Sequence, residues 1–262
     1  MAAGSDMADF VLVHSAWFGG WCWKKLVPLL AGHGHSVHTP TLTGLGERSH
    51  LAHPGIVLQT HVDDVVNTLT YQDLRGVILV GTSSSGAVIT GVADRVPDRI
   101  SQLIYVDAFV PGDGQALWDL IPPQRRPAME TLVQTEGFGW LLPRFAAQPW
   151  EQFAREAWQV TDEADLTWML TRLRPTPFGH FTSPVRLVNP AAERLPRTYI
   201  RCRGWPNPGF DRYAQTASQD LRWHLYQLDS SHMPYITNPH QLAPLLLQAA
   251  AQMIPDGHLI TA

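Results

Sequence analysis

Residues 76–81, Gly-Val-Ile-Leu-Val-Gly, carry no polar side chain, and they run straight into Thr82-Ser-Ser-Ser-Gly86, five small residues. An apolar run of this length marks a strand buried on both faces, as in a parallel sheet covered by helices. Residues 87–96 follow with a helical pattern, and Pro97 closes it. A buried strand, a tight turn and a helix in direct succession constrain this chain more than any other segment does. They place it in the α/β class.

The rest of the chain keeps the same rhythm. Strands are expected at 10–14, 36–39, 101–106, 198–202 and 224–228. Residues 21–31 read as a helix with Leu26, Leu29 and Leu30 on one side, ended by Gly32 and Gly34. Val62, Val65, Val66 and Leu69 recur at helical spacing, and 242–253 reads as the closing helix. Alternation of this kind implies a mostly parallel sheet of about six strands flanked by helices. A length of 262 residues suits one such core carrying an insertion. The rhythm breaks between Gly112 and His180. That stretch holds prolines at 122, 123, 127, 143 and 149 and tryptophans at 118, 140, 150, 158 and 168, with no convincing strand. Residues 112–180 are therefore read as a helical cap inserted between the two parts of the core, 1–111 and 181–262. A second set of core helices is the alternative.

A net charge of −4 with no basic stripe argues against nucleic acid as a partner. No stretch reaches the roughly 18 apolar residues that a membrane helix needs. Cys22 and Cys202 are the only cysteines and form no CxxC pair, so no disulfide framework is indicated and a cytoplasmic location is expected. Residues 1–9 read as a frayed leader. A homodimer stays open.

Three segments carry chemistry. A strand and a helix joined by a tight turn with serine at its tip form a nucleophile elbow, in which the strained turn lifts the serine Oγ above the sheet. Gly81 stands two residues before Ser83 and ends the apolar run, which favours Ser83 as the tip over Ser84. A serine-rich helix N-cap is the plainer reading of the same residues. His14-Ser15-Ala16-Trp17 follows the first strand, where the backbone N–H of Ser15 can join that of Ser84 in an oxyanion hole. His232 lies in Asp229-Ser-Ser-His232-Met-Pro, after the last strand, where a general base can reach the elbow. Ser83 and His232 both fall at the carboxyl ends of strands, where open α/β sheets place their sites.

On these residues the chain resembles the bacterial branch of the α/β-hydrolase superfamily related to plant methylesterases and hydroxynitrile lyases. The likeness runs through 10–23, 39–50, 63–90, 105–111, 197–202 and from His232 onward, and is weakest in the cap. It implies serine-dependent chemistry on esters or related small molecules, with no metal or organic cofactor. The departures cluster at the site. Many relatives read His-Gly where this chain has His14-Ser15, and Gly-His-Ser-Tyr-Gly-Gly where it has Gly81-Thr-Ser-Ser-Ser-Gly86. The seat of the usual triad aspartate falls on Trp205. Asp107, at the end of the strand after the elbow, is ranked first as the acid, because some haloalkane dehalogenases of this fold take theirs from that strand end. Asp211 is the alternative acid. A hydroxyl residue at Ser15 is lyase-like, whereas Met233 after the histidine is esterase-like.

Ala16, Trp17, Trp118, Trp140, Phe178, His180 and Met233 are expected to bind substrate, with the cap tryptophans, Phe138, Phe145 and Phe153 roofing an apolar pocket. His33, His35 and His38 match no metal-ligand frame, Gly44-Leu-Gly46 is no dinucleotide fingerprint, and Arg125 and Arg126 read as a solvated face. The expected function is hydrolysis of a carboxylic ester of a bulky apolar or aromatic small molecule. A lyase, cyclase or isomerase on the same scaffold, or a catalytically silent binding protein, remains a rival reading.

Overall fold

The computed structural model describes residues 7–146, 148–205 and 207–252. Six strands build its main sheet: β1 (Asp9–Val13), β2 (Ser36–His38), β3 (Val77–Ser83), β4 (Ile100–Ala108), β5 (Arg197–Cys202) and β6 (Trp223–Leu228). Their order is β2-β1-β3-β4-β5-β6, and every pairing is parallel. Parallel neighbours need crossovers, which are supplied by α1 (Val27–Ala31), α2 (Leu58–Tyr71), α3 (Ser85–Arg95), α4 (Pro208–Gln219) and the long gap between β4 and β5. The closing helix is α5 (Pro239–Ala251). Helix α2 packs against α3, α1 against α5, and α4 against β5 and β6. Val77, Leu79 and Val80 of β3 are wholly buried, as their unbroken apolar run requires.

The strand order reverses beside β3: the chain steps outward from β1 to β2 and then returns to the other side of β1. Loops at the carboxyl ends part there and leave a crevice. The elbow after β3 opens into it.

Some boundaries differ from expectation. Residues 21–31 do not form one helix. A 3-10 turn at Gly20–Trp23 comes first and α1 starts only at Val27, because Pro28, with no N–H to give, belongs in a first helical turn. The expected leader is shorter, since Asp9 already opens β1, and residues 1–6 lie outside the described residues. Met253, expected to end the last helix, also lies outside them. The excursion between β4 and β5 is largely helical, with helices at Leu117–Leu120, Arg126–Thr135, Trp150–Glu156, Glu163–Leu170 and Gly179–Thr182. It does hold one strand pair, Leu141–Leu142 antiparallel to Thr176–Pro177, too short to show alternation in the sequence. No helix among the described residues is long and apolar enough to cross a membrane.

The start of α3 lies almost on the end of β4. A Cβ added to Gly86 would fall 2.0 Å from the Phe109 carbonyl oxygen. That oxygen belongs to the backbone and cannot rotate away. Gly86→Ala is therefore expected to lower the unfolding free energy by at least about 2 kcal/mol in urea titrations. Gly112→Ala, whose Cβ would meet nothing nearer than 3.5 Å, should stay within about 0.5 kcal/mol of the parent. Equal midpoints for the two variants would contradict this reading of the contact.

Candidate active site

The serine at the tip is Ser83. Its φ is +50°, in the left-handed region that costs a residue with a Cβ on the order of 1–2 kcal/mol. Ser84, at φ −66°, already opens α3. The surroundings hold the turn. The Ser83 carbonyl accepts the Phe109 N–H at 2.9 Å. The Ser85 Oγ accepts the Thr82 N–H at 2.8 Å and donates toward the Val13 carbonyl at 2.7 Å. Ser85 thus clasps the ends of β1 and β3, which gives its hydroxyl a full set of partners.

Asp107 owes its place to a bulge. Thr82 pairs with Val106 but Ser83 pairs with Ala108, so Asp107 is the extra residue of β4. Its φ of +45° is the left-handed conformation of a bulge residue. The bulge turns a wholly buried carboxylate toward His232: Asp107 Oδ2 lies 2.6 Å from His232 Nδ1. A carboxylate only accepts, so the His232 proton sits on Nδ1 and Nε2 is left with its lone pair. The other oxygen, Oδ1, accepts from Arg201 Nη1 at 2.8 Å and from the Cys202 N–H at 3.2 Å. The backbone N–H of His232 donates to the Trp158 carbonyl at 3.1 Å, tying the histidine loop to the excursion above the sheet. Burial pulls the imidazole below its ordinary pKa, and the bond to Asp107 offsets part of that pull.

Asp211, the alternative acid, does not reach the histidine. It sits on α4 with its side chain 63% exposed and pairs with Arg201 Nε at 2.8 Å. Arg201 bonds both aspartates, and only Asp107 touches the imidazole. The side chain of Arg201 is 5% exposed. It also donates to the carbonyls of Cys202, Trp205 and Asn207 and so braces the turn after β5. That turn brings Trp205 onto His232, with ring centroids 3.8 Å apart. Arg201 escaped the sequence reading. Its one signal is a charged residue inside the apolar strand Thr-Tyr-Ile-Arg-Cys, which demands a buried acid as partner.

The N–H that faces the elbow is that of Ala16, not that of Ser15. The Ser15 carbonyl is held by His14 Nδ1 at 2.9 Å and by the Phe18 N–H at 3.3 Å. In a trans peptide the next N–H points the opposite way. The Ala16 N–H accordingly donates to the Ser84 Oγ at 2.8 Å. The Ser15 hydroxyl lies against the Ala16 carbonyl at 3.3 Å, off the cavity wall.

Ser83, Ser84 and His232 line one cavity. Its other walls are mostly aromatic: Trp17, Phe109, Phe145, Phe153, Trp158, Phe181, Trp205 and Phe210. Leu120, Ile121 and Pro122 of the excursion complete the apolar lining, and Arg125 stands at the rim with its guanidinium 5.5 Å from the Phe145 ring centre. Of the expected roof, Phe145, Phe153 and Trp158 line this cavity, and of the other expected substrate contacts Trp17 does. Trp118 packs edge-on against Phe178 at 5.1 Å. Trp140 gives its carbonyl to the Phe178 N–H. His180 is wholly buried against His61, and Met233 Sδ accepts from the Tyr235 hydroxyl. Phe138 points outward, 85% exposed. Size and hydrophobicity marked these residues in the sequence, but in turns and short helices only packing decides which side chains turn to the cavity.

Three more histidines are wholly buried among the described residues. His14 donates from Nδ1 to the Ser15 carbonyl and accepts the Leu42 N–H on Nε2 at 3.0 Å. His61 gives its Nε2 proton to the Thr43 carbonyl, so its Nδ1 must accept from His180 Nδ1, 2.9 Å away. Burial lowers His14 to about 4 and pulls His61 and His180 down as well, His180 being lowered further by the neighbouring imidazoles. Below pH 6.5 the unfolded chain takes up protons that the folded chain refuses, so stability rises with pH and falls on acidification. His14 alone should remove about 2 kcal/mol by pH 5. Urea midpoints measured from pH 7.5 to 5 are expected to fall steadily. A flat profile would contradict the buried, neutral assignment.

A profile of the alpha/beta hydrolase family matches residues 10–245. The chain is 35% identical to a carbendazim hydrolyzing esterase of Nocardioides sp. (strain SG-4G), over 92% of this chain and 98% of that relative. It is 30% identical to the pFDCC methylesterase MES16 of Arabidopsis thaliana, over 92% of this chain and 94% of the relative. The crystal structure of a methylesterase protein MES16 from Arabidopsis superposes with a TM-score of 0.72 at 27% identity, covering 94% of this chain and 100% of that one. A profile match across nearly the whole length, on a parallel sheet whose elbow, buried histidine and cavity converge, leads to one assignment: the chain belongs to the alpha/beta hydrolase family.

Proposed function

We propose that this protein is a serine-dependent hydrolase of carboxylic esters whose acyl or alcohol part is bulky and apolar or aromatic. The enzyme class is that of the carboxylic-ester hydrolases. The observation that carries the finer reading is the 2.6 Å bond from Asp107 to His232, with His232 and the strained Ser83 on one apolar cavity. In the proposed reaction the Ser83 Oγ attacks the ester carbonyl. His232 Nε2 takes the serine proton and later gives it to the leaving alcohol. Asp107 holds the imidazole tautomer and balances its charged form. The Ser84 N–H at the head of α3, with the loop after β1, receives the oxyanion. Water, activated by His232, then releases the acyl group.

Residues 112–180 serve in this reading as a cap. Leu120, Ile121, Phe145, Phe153 and Trp158 present hydrocarbon and ring faces to the cavity. A substrate gains affinity there by burying apolar area, and a small polar ester does not. The names of the relatives make carbendazim and methyl esters natural members of a first substrate screen.

Intact-mass labelling with a fluorophosphonate tests the nucleophile. Rapid single labelling of the parent and none of Ser83→Ala is expected. A parent that stays unlabelled would overturn the serine mechanism and turn attention to lyase, cyclase or isomerase chemistry. Asp107→Asn should lower kcat by on the order of 10³–10⁴-fold while Asp211→Asn stays near the parent. The reverse ranking would remove Asp107 from the scheme. Because the depressed pKa of His232 keeps it neutral as base, kcat/KM should fall on the acid side with a midpoint below 6.5.

A further inference from the structure

The Ser84 side chain has no task in the scheme above. It lies on the cavity wall directly after Ser83, and the residue is 2% exposed. Its Oγ accepts the Ala16 N–H at 2.8 Å. A hydroxyl has two acceptor sites and one donor site, and this bond uses only an acceptor site. The other two serines beside it direct their protons at the backbone: Ser85 toward Val13 and Ser15 toward Ala16. Among the described residues the Ser84 hydroxyl gives no hydrogen bond, and the one it takes part in is accepted from Ala16. A buried donor left without an acceptor is unfavourable until something takes the bond. What arrives beside Ser83 during the reaction is an oxygen gaining negative charge.

We propose that the Ser84 hydroxyl is a side-chain donor to the oxyanion, and that the Ala16 N–H acts on the oxyanion through it. The proposal rests on the Ser83 reading. When the Ser83 Oγ bonds to the carbonyl carbon, the π pair of the carbonyl moves onto its oxygen and the serine proton moves to His232. The new charge meets the N–H and the O–H of the same residue. An N–H donated into the Ser84 oxygen polarises its O–H and strengthens the bond it gives. The Ala16 N–H fixes the position of the hydroxyl oxygen. Ser84 also opens an 11-residue helix, whose amino end favours negative charge.

The test uses the full chain, 4-nitrophenyl acetate as ester and an alkyl fluorophosphonate as label. The fluorophosphonate forms a P–O bond to Ser83 and expels fluoride, and its phosphoryl oxygen charges in the same place. Ser84→Ala is expected to lower kcat by on the order of 100-fold with KM changed less than about threefold. Labelling should slow in parallel, with the adduct still on Ser83. Ser84→Thr keeps the hydroxyl and should retain most of the rate. Ser84→Cys keeps a similar size with a weaker donor and should fall between, which holds the test open if the alanine variant folds poorly. A Ser84→Ala rate equal to the parent would overturn the proposal. A faster one would also overturn it, showing the hydroxyl to be a plug on the Ala16 N–H. Equal losses in the alanine and threonine variants would reduce Ser84 to packing. If the parent reacts with neither probe, the Ser83 reading falls and this one with it; if the parent reacts and Ser84→Ala matches it, only this one falls.

Discussion

A carboxylate wholly removed from water is tolerable only beside a compensating charge and a full set of donors. Asp107 has both. Arg201 Nη1 and the Cys202 N–H bond one oxygen, and His232 Nδ1 bonds the other. Removing one partner of such a buried pair typically costs about 3–5 kcal/mol, since the remaining charge stays behind without compensation. Much of the upper sheet hangs on this contact. Arg201 braces the turn after β5, that turn carries Trp205, and Trp205 closes one side of the imidazole.

The position of Asp107 at the end of β4 has a physical consequence. The turn after β5 is free to place the Trp205 indole against His232, which adds an apolar face to the cavity. The cost is a carboxylate that must be sunk into the sheet and met by a buried guanidinium. The bulge at Asp107 makes this feasible, because one extra residue in β4 redirects the side chain without breaking the pairing on either side. Arg201 in turn is held on its outer side by Asp211, the more exposed of its two acidic partners.

Two left-handed residues, Ser83 and Asp107, sit on neighbouring strands at nearly the same level. Strain of this kind persists only where surrounding bonds fix it. The Phe109 N–H on the Ser83 carbonyl, the Ser85 clasp between β1 and β3 and the absent Cβ at Gly86 supply those constraints. Rigid strand ends, rather than loops, thereby set where the serine, the aspartate and the arginine stand.

Much of this was legible in the sequence because it depends on local pattern. The apolar run 76–81 with a small turn and a helix behind it dictates a buried parallel strand and an elbow, and alternation along the rest of the chain dictates the sheet. His232 could be placed by its position after the last strand, and Asp107 could be ranked over Asp211 by its strand end. What the sequence could not hold was orientation. Whether the Ser15 or the Ala16 N–H turns to the elbow depends on which carbonyl His14 and Phe18 capture, and those captures are set by the folded loop. Which tryptophans face the cavity depends on how turns and short helices pack, so Trp17, Trp158 and Trp205, all in turns or bends, line it while Trp118 and Trp140 do not. The partnership of Arg201 with Asp107 joins residues 94 apart in the chain. Local periodicity determines which segments become strands and helices, because it follows from the geometry of one segment. Only tertiary packing decides which buried groups meet, because a buried charge or N–H selects its partner from whatever the neighbouring strands bring alongside.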